Sequence, residues 1–172
     1  MRSASLNRAS DSSRDTATLR PWALLFARVV LGLIFGMAGY YKCFVMTPAG
    51  HARHLFIEPY AGSTWLPVWL LWTFGVIIPI VELIAGWLLV VGLRIRESLI
   101  AVGFVLMIVT YGHLLKEPLY SFSGHVIPRL ALLLFIALLP PADDRFSVDE
   151  WLLRSTRRRS RDSNLVQART NP

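Results

Sequence analysis

Four long blocks of apolar residues constrain this chain more than any other feature of its sequence. They cover residues 22–45, 66–93, 98–115 and 126–140, and all but the last reach or approach the length of about 20 residues that crosses a bilayer as a helix. The composition, 54% hydrophobic and 17% charged, is also typical of membrane proteins. The sequence therefore predicts an all-α fold, an integral membrane four-helix transmembrane bundle whose last span is the shortest.

The charged residues lie mostly outside these blocks and indicate the topology. The net charge is +7, and the Lys and Arg residues concentrate before the first block, between the second and third, and after the fourth. Because basic residues favour the cytoplasmic side, both termini are predicted to be cytoplasmic. We divide the chain into a disordered cytoplasmic tail at 1–20, a four-helix membrane domain at 21–153, and a disordered basic cytoplasmic tail at 154–172.

Several function classes are not supported by the motifs present. A single cysteine, Cys43, excludes an intramolecular disulfide and a CxxC redox relay, and the chain has no CxxCH, HExxH or phosphate-binding glycine loop. No metal or haem is therefore predicted, and His51 and His54 are assigned to a solvated loop in preference to a metal site. The basic run at 157–161 favours contact with membrane lipid over nucleic acid.

The first block contains two cations, which is costly in lipid. Small residues and cations recur at steps of four and three residues and so lie along one face of a helix, where another helix can approach closely. The residues of this stripe are Arg28, Gly32, Phe35, Gly39 and Lys42. The cations are therefore predicted to face protein.

The second block contains one carboxylate, Glu82, that can pair with these cations. From depths estimated at about 1.5 Å per residue, Arg28 and Glu82 are the first predicted buried ion pair. Arg129 in the fourth block competes for the same carboxylate, and the sequence leaves that choice open. Pro79, one turn before Glu82, also frees a backbone carbonyl in the second helix.

The cations predicted in the interior outnumber the carboxylates. The cations are Arg28, Lys42 and Arg129, and the carboxylate is Glu82. An uncompensated charge in lipid is expensive, so an anionic or hydrogen-bond-accepting ligand in the outer half would balance it. We assign Lys42, His113 and Arg129 to ligand binding, with a quinone carbonyl, a semiquinone anion or a small oxyanion as the ligand. Two simpler alternatives stay open: Lys42 snorkels to the interface, and His113 bonds a helix carbonyl.

These features resemble the DoxX family of small four-helix membrane proteins. The similar stretches are RVVLGLIFGMAGYYKCF at 28–44, VELIAGWLLVVGLRIR at 81–96, PRLALLLFIALL at 128–139 and DRFSVDEWL at 144–152. The resemblance implies a four-helix bundle in the cytoplasmic (inner) membrane of a bacterium. It also implies a link to quinone-dependent oxidation, since the family includes subunits of a thiosulfate:quinone oxidoreductase. By position it carries over Arg28, Lys42, Glu82 and Arg129.

The leading hypothesis is thus a quinone-associated subunit of a membrane redox system, with quinone as the cofactor. Because the chain has no evident electron carrier of its own, it would need a soluble or membrane redox partner, and it can form a homo-oligomer. The alternative is a non-enzymatic membrane scaffold, in which the same charges fix the helix register and the basic tail docks a partner or lipid. A transporter is a third possibility. No catalytic residue is assigned.

Overall fold

All the regular structure that is described is helical. The computed structural model describes residues 2–62, 64–116, 124, 126–139 and 144–170, and it contains no strand in these ranges. Its elements in chain order are α1 (Arg2–Tyr40) with a π-helical turn (Tyr41–Val45), α2 (Pro48–His51), a π-helical segment (Ala52–Ile57), α3 (Glu58–Tyr60), α4 (Val68–Val91), α5 (Ile95–Lys116), α6 (Val126–Leu138) and α7 (Val148–Thr170).

Three stretches within these helices are long and apolar enough to cross a membrane. They are Leu19–Val45, Val68–Val91 and Ile95–Lys116. The apolar helix α6 has 13 residues, which is about 20 Å of helix and less than a typical hydrocarbon core. Large apolar side chains such as Phe26, Ile84 and Phe104 point outward, as expected for helices whose outer surface contacts lipid. The chain is thus an all-helical protein with a membrane-like architecture.

Helix α4 is central to the packing. It contacts α1 and α5, and α6 in turn contacts both α1 and α5. Apolar side chains from all four helices fill the space between them, and among the most buried are Leu31, Phe35, Leu89, Val102 and Ile136. Since the interior is apolar, the few charged groups within it need defined partners.

Helices α1 and α4 approach so closely that side chains are excluded from the contact. A Cβ on Gly39 would collide with the backbone of Leu83, and a Cβ on Gly86 would collide with the backbone of Gly36. Residues later in α1 thus meet residues earlier in α4, so the helices are antiparallel. The stripe of small residues in the first block does face another helix, as predicted.

At one end of the molecule, which we call the tail end, residues 144–149 tie three helices together. Gly92, with φ of 78°, ends α4 in the left-handed conformation. Two consecutive amides, those of Arg94 and Ile95, donate to the Asp149 carboxylate, each at 3.0 Å, at the start of α5. The Asp149 amide donates to the Gly92 carbonyl at 3.0 Å. One carboxylate thus caps α5 from the start of α7.

Arg28 is fully buried at this tail end. Its Nε lies 3.2 Å from Oδ2 of Asp144, and its Nη1 donates to the Leu89 carbonyl at 2.7 Å and the Val90 carbonyl at 3.2 Å. The predicted pairing of Arg28 with Glu82 is therefore wrong. The physical reason is the register of α1 on α4, which places Arg28 beside Leu89, about 10 Å of helix beyond Glu82.

The residues assigned to the two tails continue neighbouring helices. Residues 2–20 continue α1, and residues 154–170 continue α7. Once a helix is nucleated, adding residues costs little, and Arg and Ala are favourable helix formers. Residues 1, 171 and 172, which the prediction also placed in the tails, lie outside the described residues.

Candidate ligand-binding site

The opposite end, which we call the loop end, is formed by a helical segment, residues 48–60, that packs into the bundle. Thr47 caps this segment by accepting a hydrogen bond from the Gly50 amide at 3.1 Å, and Pro48 occupies its first turn. Ala52 is fully buried, and a Cβ on Gly75 would lie 2.5 Å from the Ala52 Cα. Gly75 lies about 10 Å along α4 from the first residue of that helix. The segment therefore packs against α4 well past its amino-terminal end.

His51 fixes the segment to α4 through a carbonyl that Pro79 leaves unused. Residue 79 has no amide hydrogen, so the Gly75 carbonyl lacks its usual partner within the helix. The Nδ1 atom of His51 lies 2.6 Å from that oxygen, and the side chain is 2% exposed. The prediction that Pro79 frees a carbonyl is confirmed. The assignment of His51 to a solvated loop is wrong, whereas His54 is exposed.

Tyr60 ties the other end of the segment to α5. Its hydroxyl donates to the Gly112 carbonyl at 2.9 Å. Through His51 and Tyr60 the segment therefore bridges α4 and α5, and it covers the space between them at the loop end. Both bonds use helix carbonyls, which are strong acceptors in an apolar environment.

Glu82 lies beneath this segment and has Lys42 as its partner. The Lys42 Nζ is 2.6 Å from Oε2 of Glu82, and the two side chains are 23% and 5% exposed. Lys42 belongs to the π-helical turn after α1, one turn beyond the contact of Gly39 with Leu83. The register of α1 against α4 places Arg28 far from Glu82. The same register places Lys42 next to Glu82.

A cavity of about 510 Å³ lies between the segment, α4 and α5. Most of its wall is apolar, contributed by residues such as Phe56, Phe74 and Ile78. Its polar or titratable lining side chains are Lys42, His51, Tyr60, Tyr111 and His113. An apolar cavity of this size with a few convergent polar groups is typical of a small-molecule site.

The structure brings together two of the three predicted ligand-binding residues. Lys42 and His113 both line the cavity, whereas Arg129 is not part of its lining. The Arg129 guanidinium carbon lies 6.0 Å from the centre of the Phe35 ring, and the residue is within electrostatic range of Glu82. With Asp144 beside Arg28 and Glu82 beside Lys42, the excess of interior cations is smaller than the sequence indicates.

The environment of the segment shifts the pKa of two cavity residues. Burial lowers the pKa of His51, and the Lys42 charge lowers it further, while the bond to the Gly75 carbonyl acts in the opposite direction. Burial also raises the pKa of Tyr60. Both shifts favour the neutral side chain, so the cavity presents a neutral imidazole and a neutral phenol at pH 7.

Sequence reasoning missed His51 and Tyr60. The signal that could have found them is local: Thr47 followed by Pro48 is a typical helix start. In a helix from that point, positions 51, 52, 55, 56 and 60 share one face. Four of these residues line the cavity, and His51 and Ala52 are buried, although Leu55 is 45% exposed.

Comparison with protein-family models, curated proteins and solved structures finds no match to this chain. In the ranges that the structure describes, no group of three or more His, Cys, Asp or Glu residues could hold a metal ion. The candidate site is therefore defined by its own geometry, which is an apolar cavity with a paired cation and a buried imidazole on its wall.

Proposed function

We propose that this chain is a quinone-associated subunit of a membrane redox system, in the manner that its resemblance to the DoxX family implies. The observation that carries the proposal is the cavity at the loop end, where an apolar wall surrounds a small set of polar groups. A quinone has an apolar ring and two carbonyl oxygens that accept hydrogen bonds. Lys42 supplies a charged donor for one of them.

The membrane setting of the proposal has four spans, with α6 as the fourth and both termini in the cytoplasm of a bacterial cell. The basic residues of the two tails and of the connection between α4 and α5 support this orientation. The cavity then lies in the outer half of the membrane. A lipid-soluble ligand could reach it from the bilayer, and membrane lipid surrounds the exposed apolar side chains.

The direct test is a binding titration of the purified protein with a short-chain quinone. Lys42→Met alone would leave the Glu82 carboxylate without its cation, so the variant to use is Lys42→Met with Glu82→Gln, which removes both charges together. We expect binding to weaken by about 1–2 kcal/mol, the scale of a hydrogen bond from a charged donor. Arg53→Met, at an exposed position outside the cavity lining, is the matched control and should bind as wild type does.

A second candidate function is a non-enzymatic membrane scaffold, and the ion pairs favour it. Because Arg28 and Lys42 both have carboxylate partners, neither needs an anionic ligand. In that case the charges fix the helix register, and α7 docks lipid or a soluble partner. Absence of saturable quinone binding by the wild-type protein would make the scaffold the better conclusion.

A further inference from the structure

The imidazole of His51 has a fixed hydrogen-bonding polarity. A carbonyl oxygen only accepts hydrogen bonds, so the Nδ1 atom that lies 2.6 Å from the Gly75 oxygen carries the hydrogen. In a neutral imidazole the second ring nitrogen, Nε2, is then an acceptor. Pro79 makes this arrangement durable, because no amide of α4 competes for the Gly75 carbonyl.

This acceptor belongs to the wall of the cavity. His51 is one of the lining residues and is 2% exposed, and Nε2 has no hydrogen-bond partner among the residues that the structure describes. Nε2 is not among the fully buried atoms that lack a partner, so it is accessible from the cavity and can accept a hydrogen bond there. A ligand that brings a hydroxyl hydrogen to Nε2 would gain that hydrogen bond.

We propose that the cavity binds the reduced, dihydroxy form of a quinone in preference to the oxidised, dicarbonyl form. This inference rests on the proposed function, since it concerns the same cavity and ligand class. A quinol hydroxyl donates to Nε2 of His51. A quinone carbonyl oxygen at that position would face Nε2 with no hydrogen between the two acceptors. Lys42 donates equally well to a hydroxyl or a carbonyl oxygen, so the discrimination comes from His51.

The test uses three probes that differ in their donors. They are a decyl-substituted hydroquinone, the corresponding benzoquinone, and the dimethyl ether of the hydroquinone, which keeps the ring oxygens but has no hydroxyl hydrogen. Each is titrated anaerobically into the purified full chain in one detergent. We expect the hydroquinone to bind about tenfold more tightly than the other two, the scale of one buried hydrogen bond.

The variant that isolates Nε2 is His51→Asn. The Asn amide nitrogen can still donate to the Gly75 carbonyl, but the shorter side chain has no group at the position of Nε2. We expect the preference for the hydroquinone to disappear in this variant. His54→Asn, at an exposed position of the same segment, is the matched control and should keep the wild-type preference.

The outcomes separate this inference from the proposed function. Equal binding of all three probes by wild type, or tighter binding of the benzoquinone, overturns the inference and leaves quinone binding intact. No saturable binding of any probe overturns both. Persistence of the preference in His51→Asn removes the assignment to His51. If that variant does not fold, nitrogen NMR of histidine-labelled wild type decides, because the Nε2 resonance should move with the hydroquinone and stay in place with the ether.

Discussion

The pair formed by Lys42 and Glu82 places two charges in the interior of a membrane-like bundle. Glu82 is 5% exposed, and its partner ammonium lies 2.6 Å away. Coulombic attraction is strong at this distance in a low-dielectric environment, but most of it offsets the desolvation of the two ions. The pair therefore adds little net stability while both partners are present. Removal of one partner is expensive because the other charge stays buried.

Replacement of Glu82 tests which cation it compensates. Glu82→Gln should lower the free energy of unfolding by about 2–4 kcal/mol, since Lys42 loses its carboxylate in a mostly buried site. Adding Lys42→Met should restore part of the loss, whereas adding Arg28→Met should deepen it, because Arg28 has its own partner in Asp144. Thermal unfolding in detergent measures all three variants. Rescue by Arg28→Met would contradict the ion pairs described above.

The lowered pKa of His51 predicts a pH dependence of stability. The unfolded chain takes up a proton near pH 6.5, whereas the folded chain resists protonation until the pH falls further. Stability should thus decrease as the pH falls below about 6.5, by at most about 1.4 kcal/mol per pH unit from this residue.

The measurement for this pH dependence is thermal unfolding as a function of pH, for wild type and His51→Asn. The difference between the two slopes isolates His51 from the other charged and titratable groups at the cavity, Lys42, Tyr60, Tyr111 and His113. Identical slopes for the two proteins would show that His51 titrates normally in the folded state.

At the scale of elements, the contact of α1 with α4 sets the position of every charge in the site. Backbone meets backbone where Gly39 faces Leu83 and where Gly36 faces Gly86. Such close approach gains dispersion energy and depends on the absence of side chains at these points. Since Lys42 lies one turn from Gly39, a small displacement of α1 would separate it from Glu82.

Gly39→Ala should therefore perturb both stability and the site. The new methyl group would meet the Leu83 backbone, which cannot rotate away, so we expect a loss of about 1–3 kcal/mol in the free energy of unfolding. Gly103→Ala is the matched control in α5, where the new Cβ would meet only Leu133 Cδ1 at 3.7 Å, an ordinary contact. That variant should be neutral or slightly stabilised, because Ala is the better helix former. Equal thermal stability of both variants would contradict the close packing.

The presence of the helices and the small-residue face of α1 could be predicted from the sequence. The register of α1 against α4 could not. Both α1 and α4 carry glycines at helical spacing, and several antiparallel alignments bring one glycine onto another. Depth estimated from block centres selected Arg28 for Glu82, while the packed alignment selects Lys42. Asp144 was overlooked because it lies outside the apolar blocks, although the chain folds it back onto Arg28.

At the scale of the whole molecule, the two ends differ in what they do. The tail end is closed by charge and capping interactions around Arg28 and Asp149. The loop end holds a cavity under the segment 48–60. The composition of the chain predicted its class, but the cavity depends on a short helical segment whose polar residues favoured assignment to a solvated loop.

The proposed orientation makes a whole-molecule prediction. Reporter fusions at Ser63 and Ser123, which lie outside the described residues, should report the external side, and fusions at Glu97 and Ser163 the cytoplasm. The physical reason is the retention of Arg-rich segments on the cytoplasmic side during insertion. A pair of reporters active on opposite sides of the membrane measures this. An external carboxyl terminus would reverse the assignment of the cavity to the outer half.

The carboxylates of Asp144 and Asp149 are the last parts of the tail end to be synthesised. Arg28 leaves the ribosome early, and until residue 144 has followed, its guanidinium has no carboxylate among the partners that hold it in the finished fold. The amides at the start of α5 likewise lack their carboxylate acceptor until Asp149 has been made. The helices before residue 144 can pack earlier, but the tail end closes only after residues 144–149 have been made. A chain shortened before residue 144 would leave the Arg28 guanidinium buried without its carboxylate partner.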